Sequence, residues 1–144
     1  MKNRILLLML AFVGLLAAHA QIPPDIQWQQ NFGGTGSDYL NSLQQTSDGG
    51  YILGGYSDSP TSGNKTSGSF GIDYWVVKLD SNGDHQWDKS FGGSDYDVLQ
   101  SLQQTDDGGY ILGGYSASGA SSNKTDASYG ASDYWVVKVD ADGN

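Results

Sequence analysis

Two acidic turns in this chain carry oxygen-bearing side chains at the alternating spacing found in calcium loops. Each has a glycine where such a loop bends sharply. The candidate ligands are Asp80, Asn82 and Asp84 in the first turn and Asp140, Asp142 and Asn144 in the second. No Glu follows at the twelfth position, where an EF-hand has its bidentate ligand. A hairpin turn whose Asp and Asn side chains cap backbone N–H groups explains the same residues without a metal. We therefore predict no cofactor, with calcium as the alternative.

Acid–base or nucleophilic catalysis has few residues to draw on. Beyond residue 20 the chain has one histidine, His85, and no Cys, Glu or Arg. A general base needs a nucleophile and an orienting acid within reach, and only Asp84 and Asp88 lie near His85 in the sequence. No G-x-S-x-G, H-E-x-x-H or P-loop motif is present. We predict that the chain is not an enzyme and has no catalytic residues.

Aromatic side chains offer a second kind of binding site. Four Trp and nine Tyr stand in a sequence rich in Gly, Asn and Asp, a combination that suits stacking against sugars and hydrogen bonding to them. Most of these aromatic residues recur at equivalent places in a repeat, which favours packing in a core. A polysaccharide site would then be formed by the loops in which the repeats differ.

The repeat is the strongest pattern in the sequence. Residues 42–57 (SLQQTSDGGYILGGYS) return 59 positions later as residues 101–116, with one difference, Ser47 against Asp106. Residues 73–80 (DYWVVKLD) return 60 positions later as residues 133–140 (DYWVVKVD). A period of this length marks repeat architecture, in which neighbouring units bury each other's faces.

Each repeat predicts four strands, because apolar runs alternate with turn signals. In the first repeat the strands cover residues 26–33, 39–46, 51–57 and 74–79, and in the second residues 85–92, 98–105, 110–116 and 134–139. Asp-Gly-Gly sequences at residues 48–50 and 107–109 predict tight hairpins. The Ser- and Gly-rich segments 58–72 and 117–132 predict exposed loops.

This order of strands resembles a kelch-type β-propeller blade. The apolar strand ending in Gly54-Gly55, followed by residues 74–80 and then Trp87, carries the resemblance. The unit is also similar to propeller-type repeats of large secreted Bacteroidetes proteins, many of which leave the cell by type IX secretion. The resemblance implies a fold of tandem four-stranded antiparallel β-propeller blades and an extracellular location.

The first twenty residues predict a secretory signal peptide. Lys2 and Arg4 precede an apolar stretch at residues 5–18, and residues 18–20 (AHA) form a cleavage site that ends at Ala20. The stretch is shorter than the roughly 20 residues that a membrane span requires. The remainder carries five Lys against sixteen Asp, a balance that excludes nucleic-acid binding through clustered basic residues.

The sequence therefore predicts a secreted all-β protein with a first repeat at residues 21–84 and a second at residues 85–144. Propellers close with about four to eight blades, so the expected partners are further repeats of the same protein or identical chains, the latter joined through residues 26–33. The predicted function is a binding, adhesion or display scaffold at the cell surface, with polysaccharide or a surface protein as ligand. The alternative is that these are non-catalytic blades of a larger secreted glycan-active hydrolase.

Overall fold

Two antiparallel β-sheets make up the part of the chain that the computed structural model describes, residues 23–144. The first sheet has the order β1-β2-β3-β4, and the second has the order β5-β6-β7. The strands are β1 Asp38–Gln45, β2 Tyr51–Ser57, β3 Asp73–Leu79, β4 His85–Phe91, β5 Asp97–Gln104, β6 Tyr110–Ser116 and β7 Asp133–Val139. The all-β prediction is confirmed, and the predicted signal peptide at residues 1–20 lies outside the described residues. Residues 23–144 contain no helix, and so none that is long and apolar enough to cross a membrane.

Seven of the eight predicted strands form, and the hairpins that join them have the turn chemistry that they need. Gly49 and Gly108 have φ angles of 84° and 82°, a left-handed conformation that a side chain opposes. In the first hairpin Asp48 Oδ1 accepts the Gly50 N–H at 2.9 Å, and its other oxygen accepts Lys78 Nζ at 2.8 Å. The same carboxylate therefore closes the β1–β2 turn and ties it to β3.

One predicted strand is wrong: residues 26–33 form no strand. The equivalent segment of the second repeat is β4, which pairs with β3 and completes the first sheet with a strand from beyond the predicted repeat boundary at residue 84. No strand lies beside residues 26–33 among the described residues, so their backbone has no ladder to join. Because β4 belongs to the first sheet, the second sheet has three strands instead of the expected four.

The core lies mainly between the two sheets. Ile52, Tyr74 and Val76 of the first sheet pack there against Leu99 and Leu102 of the second. The opposite face of β3 carries a smaller cluster of Trp75, Val77 and Leu79. Every residue of β3 is buried, as expected for a strand with apolar side chains on both faces.

Side chains of β1 also bind the backbone of β5. Asn41 Nδ2 donates to Leu99 O at 2.7 Å, Ser42 Oγ accepts the Leu102 N–H at 3.2 Å, and Gln44 Oε1 accepts the Gln104 N–H at 2.9 Å. Edge-strand backbone groups that no strand pairs still need partners. The contact between the sheets is therefore both apolar and directional.

Candidate functional site at the junction of the two sheets

The two candidate calcium turns are tight turns held by their first aspartate; the first joins β3 to β4 and the second follows β7. Asp80 Oδ1 accepts the N–H groups of Asn82 at 2.8 Å and Asp84 at 2.9 Å, and the Asp84 bond contributes most to holding the Asp80 pKa below its usual range. Asp140 makes the equivalent bonds in the second turn. Among residues 23–144, no three His, Cys, Asp or Glu side chains come together in a way that could hold a metal ion. The capping role accounts for both turns, and calcium binding stays a prediction.

His85 lies beside Asp88, with 3.3 Å between Nε2 and Oδ1. Asp88 is itself a buried acceptor that fixes the long loop before β3. It accepts Ser67 N–H at 2.9 Å, Ser67 Oγ at 2.5 Å and Trp75 Nε1 at 2.9 Å, as well as both donors of Thr66. Burial acts to raise the pKa of Asp88, but the hydrogen bonds outweigh it and hold the pKa well below its usual value. The His85–Asp88 pair therefore belongs to a structural clamp.

A buried lysine completes this clamp. Lys65 is buried, and its Nζ lies 5.6 Å from the centroid of the Trp75 ring. The Nζ donates to Ser67 O at 2.5 Å and to Ser90 Oγ at 3.0 Å. Burial lowers the pKa of Lys65, and nearby carboxylates, Asp88 first among them, oppose that shift. Sequence reasoning named Asp88 only as a neighbour of His85 and missed the clamp, because the loop donors lie 22 and 21 positions away from Asp88.

Two aspartates from neighbouring sheets meet in the interior. Asp73 begins β3 and Asp97 begins β5, and both are fully buried. Asp73 Oδ2 accepts the Phe70 N–H at 2.6 Å, and Asp97 Oδ2 accepts the Gly93 N–H and Ser118 Oγ at 2.8 Å each. The Oδ1 atom of each carboxyl has no hydrogen-bond partner. Sequence reasoning missed this pair because the contact depends on how the sheets pack.

Two adjacent carboxyl groups are of the kind that serve in acid–base catalysis, but both of these are shielded from solvent. Burial, and then the nearby Asp97 charge, raise the pKa of Asp73 to about 6, a shift expected when two carboxyls share a dry environment. Gly92 makes room for them: a Cβ there would overlap Asp73 Oδ1 and lie 2.7 Å from Asp97 Oδ2. Because neither carboxyl is exposed, no substrate reaches them in this conformation.

The accessible site lies just outside this pair. A cavity of about 470 Å³ opens between the loop after β2 and the connection from β4 to β5. Its lining includes Asp58, Asp95 and Tyr96, together with serine side chains. Asp58 Oδ1 accepts the Ser37 N–H and Asp95 Oδ1 accepts the Tyr96 N–H, while the Tyr96 side chain is exposed. The cavity thus offers carboxylate and hydroxyl groups beside one aromatic ring.

The sequence indicated such a site only in general terms, since it placed polysaccharide binding in loops that differ between the repeats without naming these residues. Comparison of the sequence with models of protein families and with curated proteins finds no match in either.

Proposed function

We propose that this chain is a non-catalytic binding module of a secreted β-propeller-type repeat protein, and that it binds neutral polysaccharide in the cavity between the loop after β2 and the connection from β4 to β5. The two sheets would be neighbouring blades, with residues 91–97 and the loop after β2 supplying the site. The predicted signal peptide and the excess of aspartate over lysine support a place outside the cell. Adhesion or display at a cell surface would follow from such binding.

The observation that carries the proposal is that the cavity is lined mostly by residues in which the repeats differ. Asp58, Asp95 and Tyr96 correspond to Ala117, Gly36 and Ser37 in the other repeat. The strands around them are nearly identical between the repeats. A fold that keeps its frame and varies the lining of one cavity has the usual form of a binding site on a rigid scaffold.

The lining favours a neutral, hydroxyl-rich ligand. Carboxylates accept hydrogen bonds from sugar hydroxyls, and the exposed ring of Tyr96 can cover the apolar face of a pyranose. Two aspartates in a strongly acidic chain oppose an anionic ligand through like-charge repulsion. Neutral glucans, mannans and galactans are therefore the first ligands to test.

Affinity electrophoresis through gels containing each polysaccharide tests the proposal, with calorimetry on any that retards the protein. We expect Tyr96→Ala and Asp95→Asn each to weaken binding by about tenfold or more, which corresponds to about 1.4 kcal/mol. Tyr129→Ala is the matched control, because Tyr129 is a fully exposed tyrosine in the loop before β7, outside the cavity. Equal binding by all three variants, or retardation by none of the polysaccharides, would overturn the proposal.

A further inference from the structure

The contact between the two sheets shows how one repeat recognises the next. We call the faces that meet there the inner faces, and the opposite faces the outer faces. On the inner face of the first sheet, Gly54 leaves a notch: a Cβ there would overlap Leu102 and lie 2.9 Å from the side chain of Leu99. Next to this notch, Tyr74 donates its hydroxyl to Trp135 O at 2.9 Å. The two leucines therefore act as knobs and the glycine strand as the hole.

The hole and the knobs of this contact each recur on an outer face, where no other described residue packs against them. Tyr134 and Val136 of the second sheet are 97% and 61% exposed, whereas the equivalent Tyr74 and Val76 are fully buried. At Gly113, the equivalent of Gly54, a Cβ would meet only a backbone oxygen, 4.0 Å away.

The first sheet shows the matching knobs on its own outer face. Leu40 and Leu43 are 57% and 58% exposed, whereas the equivalent Leu99 is fully buried. The outer face of the second sheet is thus a hole, and the outer face of the first sheet carries the knobs that fit it.

We propose that a second copy of this chain docks head to tail on the outer face of the second sheet, and that its residues 26–33 add to β7 as a fourth strand. The proposal deepens the repeat-scaffold function above and rests on its two-blade interpretation. An unpaired strand edge beside an apolar face is the usual receptor for strand addition.

The pairing of β3 with β4 fixes the register of the added strand. Within the chain Tyr74 pairs with Phe91, Trp75 with Ser90 and Lys78 with Trp87. Transferring this register by the repeat offsets puts Tyr134 opposite Phe32, Trp135 opposite Asn31 and Lys138 opposite Trp28 of the second copy. The second copy already holds this segment in place, since Asn64 donates to Asn31 O at 2.7 Å and accepts the Gly33 N–H at 2.8 Å.

Charge complementarity identifies the added strand as this chain's own. In the first sheet the carboxylate of Asp88 on β4 accepts the Ser67 hydroxyl. The second sheet has Asp126 in place of Ser67, so a strand with Asp at the position of Asp88 would bring two carboxylates together. Residues 26–33 have Gln29 there, and its amide can donate to Asp126 while its oxygen accepts Trp135 Nε1. In the first sheet the strand carries the carboxylate (Asp88) and the loop the neutral partner (Ser67). In the second sheet the loop carries the carboxylate (Asp126) and the added strand the neutral partner (Gln29).

The space for this strand is open along β7. A cavity of about 510 Å³ lies there, lined by Lys124, Asp126 and Trp135 among others. Lys124 Nζ lies 5.6 Å from the centroid of the Trp135 ring, as Lys65 lies from that of Trp75. Lys65 also bonds Ser90 Oγ at 3.0 Å, and Asn31 Oδ1 of the second copy would take that place on Lys124.

Because the docked surfaces differ, the contact is heterologous and continues from copy to copy until a ring closes. Each copy contributes two sheets, so closure at about four to eight blades needs two to four copies. Light scattering on a sizing column, over a concentration series up to about 100 µM, a range in which protein contacts of ordinary affinity saturate, should give one such mass. A monomer throughout the series would overturn the proposal and assign the β7 edge to another occupant.

Two blocked variants test the head-to-tail geometry. Val136→Lys closes the hole and Leu43→Lys removes a knob, and both residues are exposed, so each monomer should fold as the unchanged chain does. We expect each variant alone to be a monomer and their equimolar mixture to form a heterodimer through the one intact pair of surfaces. A mixture that stays monomeric while the unchanged protein assembles would refute this geometry.

A charge exchange tests the register. Gln29→Asp should weaken assembly by about tenfold or more, because it places a carboxylate against Asp126. Adding Asp126→Ser rebuilds the Asp88–Ser67 arrangement and should restore assembly, and Gln30→Asp, one position along, is the control for added charge. Failure of the double variant to recover would refute the register.

The outcomes separate this inference from the proposed function. A monomer that binds polysaccharide leaves the function standing and removes the inference. An assembly that binds none of the polysaccharides overturns the proposed function and leaves this inference standing.

Discussion

Replacing Asp88 by alanine removes the acceptor at the centre of the loop clamp, and the cost can be worked out from the structure. The carboxylate accepts five hydrogen bonds from Thr66, Ser67 and Trp75. Hydroxyls can rotate to other acceptors and loop N–H groups can reach water, so each of these four bonds contributes only about 0.5 kcal/mol. Trp75 is 6% exposed, and stranding its indole N–H costs about 1–3 kcal/mol. Together, the four loop hydrogen bonds to the carboxylate and the stranded indole N–H lead us to expect that Asp88→Ala destabilises the protein by about 3–5 kcal/mol.

Urea unfolding followed by tryptophan fluorescence measures this loss. Asp88→Asn keeps an acceptor oxygen but turns an N–H₂ group toward donors, so we expect an intermediate loss of about 1–3 kcal/mol. Asp84→Ala, at an exposed turn position four residues earlier, should unfold within error of the unchanged protein. A loss below about 1 kcal/mol for Asp88→Ala, no larger than that of an ordinary single hydrogen bond, would refute the view that Asp88 organises the loop.

Three further predictions concern the junction between the sheets. Asp73 has its pKa raised to about 6, so its contribution to stability is greatest below about pH 4 and is lost as the pH rises through 6. Asp73→Asn should therefore be more stable than the unchanged protein at pH 7 by about 1–3 kcal/mol, with the difference vanishing near pH 4, as chemical denaturation at each pH would show. Gly92→Ala should cost about 2–4 kcal/mol because its methyl would displace a buried carboxyl, whereas Gly119→Ala, with nothing within 4 Å, should be neutral or slightly stabilising in thermal melts. Tyr74→Phe should lose about 1 kcal/mol with its bond to Trp135 O, measured by chemical denaturation at low protein concentration.

The strands could be predicted from the sequence because their signals are local. Alternation of Trp75, Val77 and Leu79 with Tyr74 and Val76 predicted one strand with two apolar faces, and β3 is buried on both. The Asp-Gly-Gly hairpins likewise depend on φ angles that only nearby residues determine.

What could not be predicted depends on which strands become neighbours. Residues 26–33 have the Trp and Phe spacing of β4, yet they form no strand, because a strand requires a partner as well as a pattern. The Asp73–Asp97 pair joins two sheets, and no local signal marks one aspartate as the neighbour of another 24 positions away. The cavity residues Asp58 and Tyr96 come together for the same reason.

The differences between the repeats fall into two groups with different physical consequences. Asp58 and Tyr96 face a cavity, where their counterparts Ala117 and Ser37 would remove a hydrogen-bonding group and an aromatic face without disturbing the sheets, so these differences bear on the binding proposed above. The difference between Ser67 and Asp126 concerns an exposed edge of β7, where an unmatched carboxylate would become costly once the strand proposed above covered it. An amide in place of Asp88 on that strand would avoid the cost, and Gln29 is such a residue. A change that is unfavourable alone and favourable with its partner is the pattern that the proposed head-to-tail contact between copies would produce.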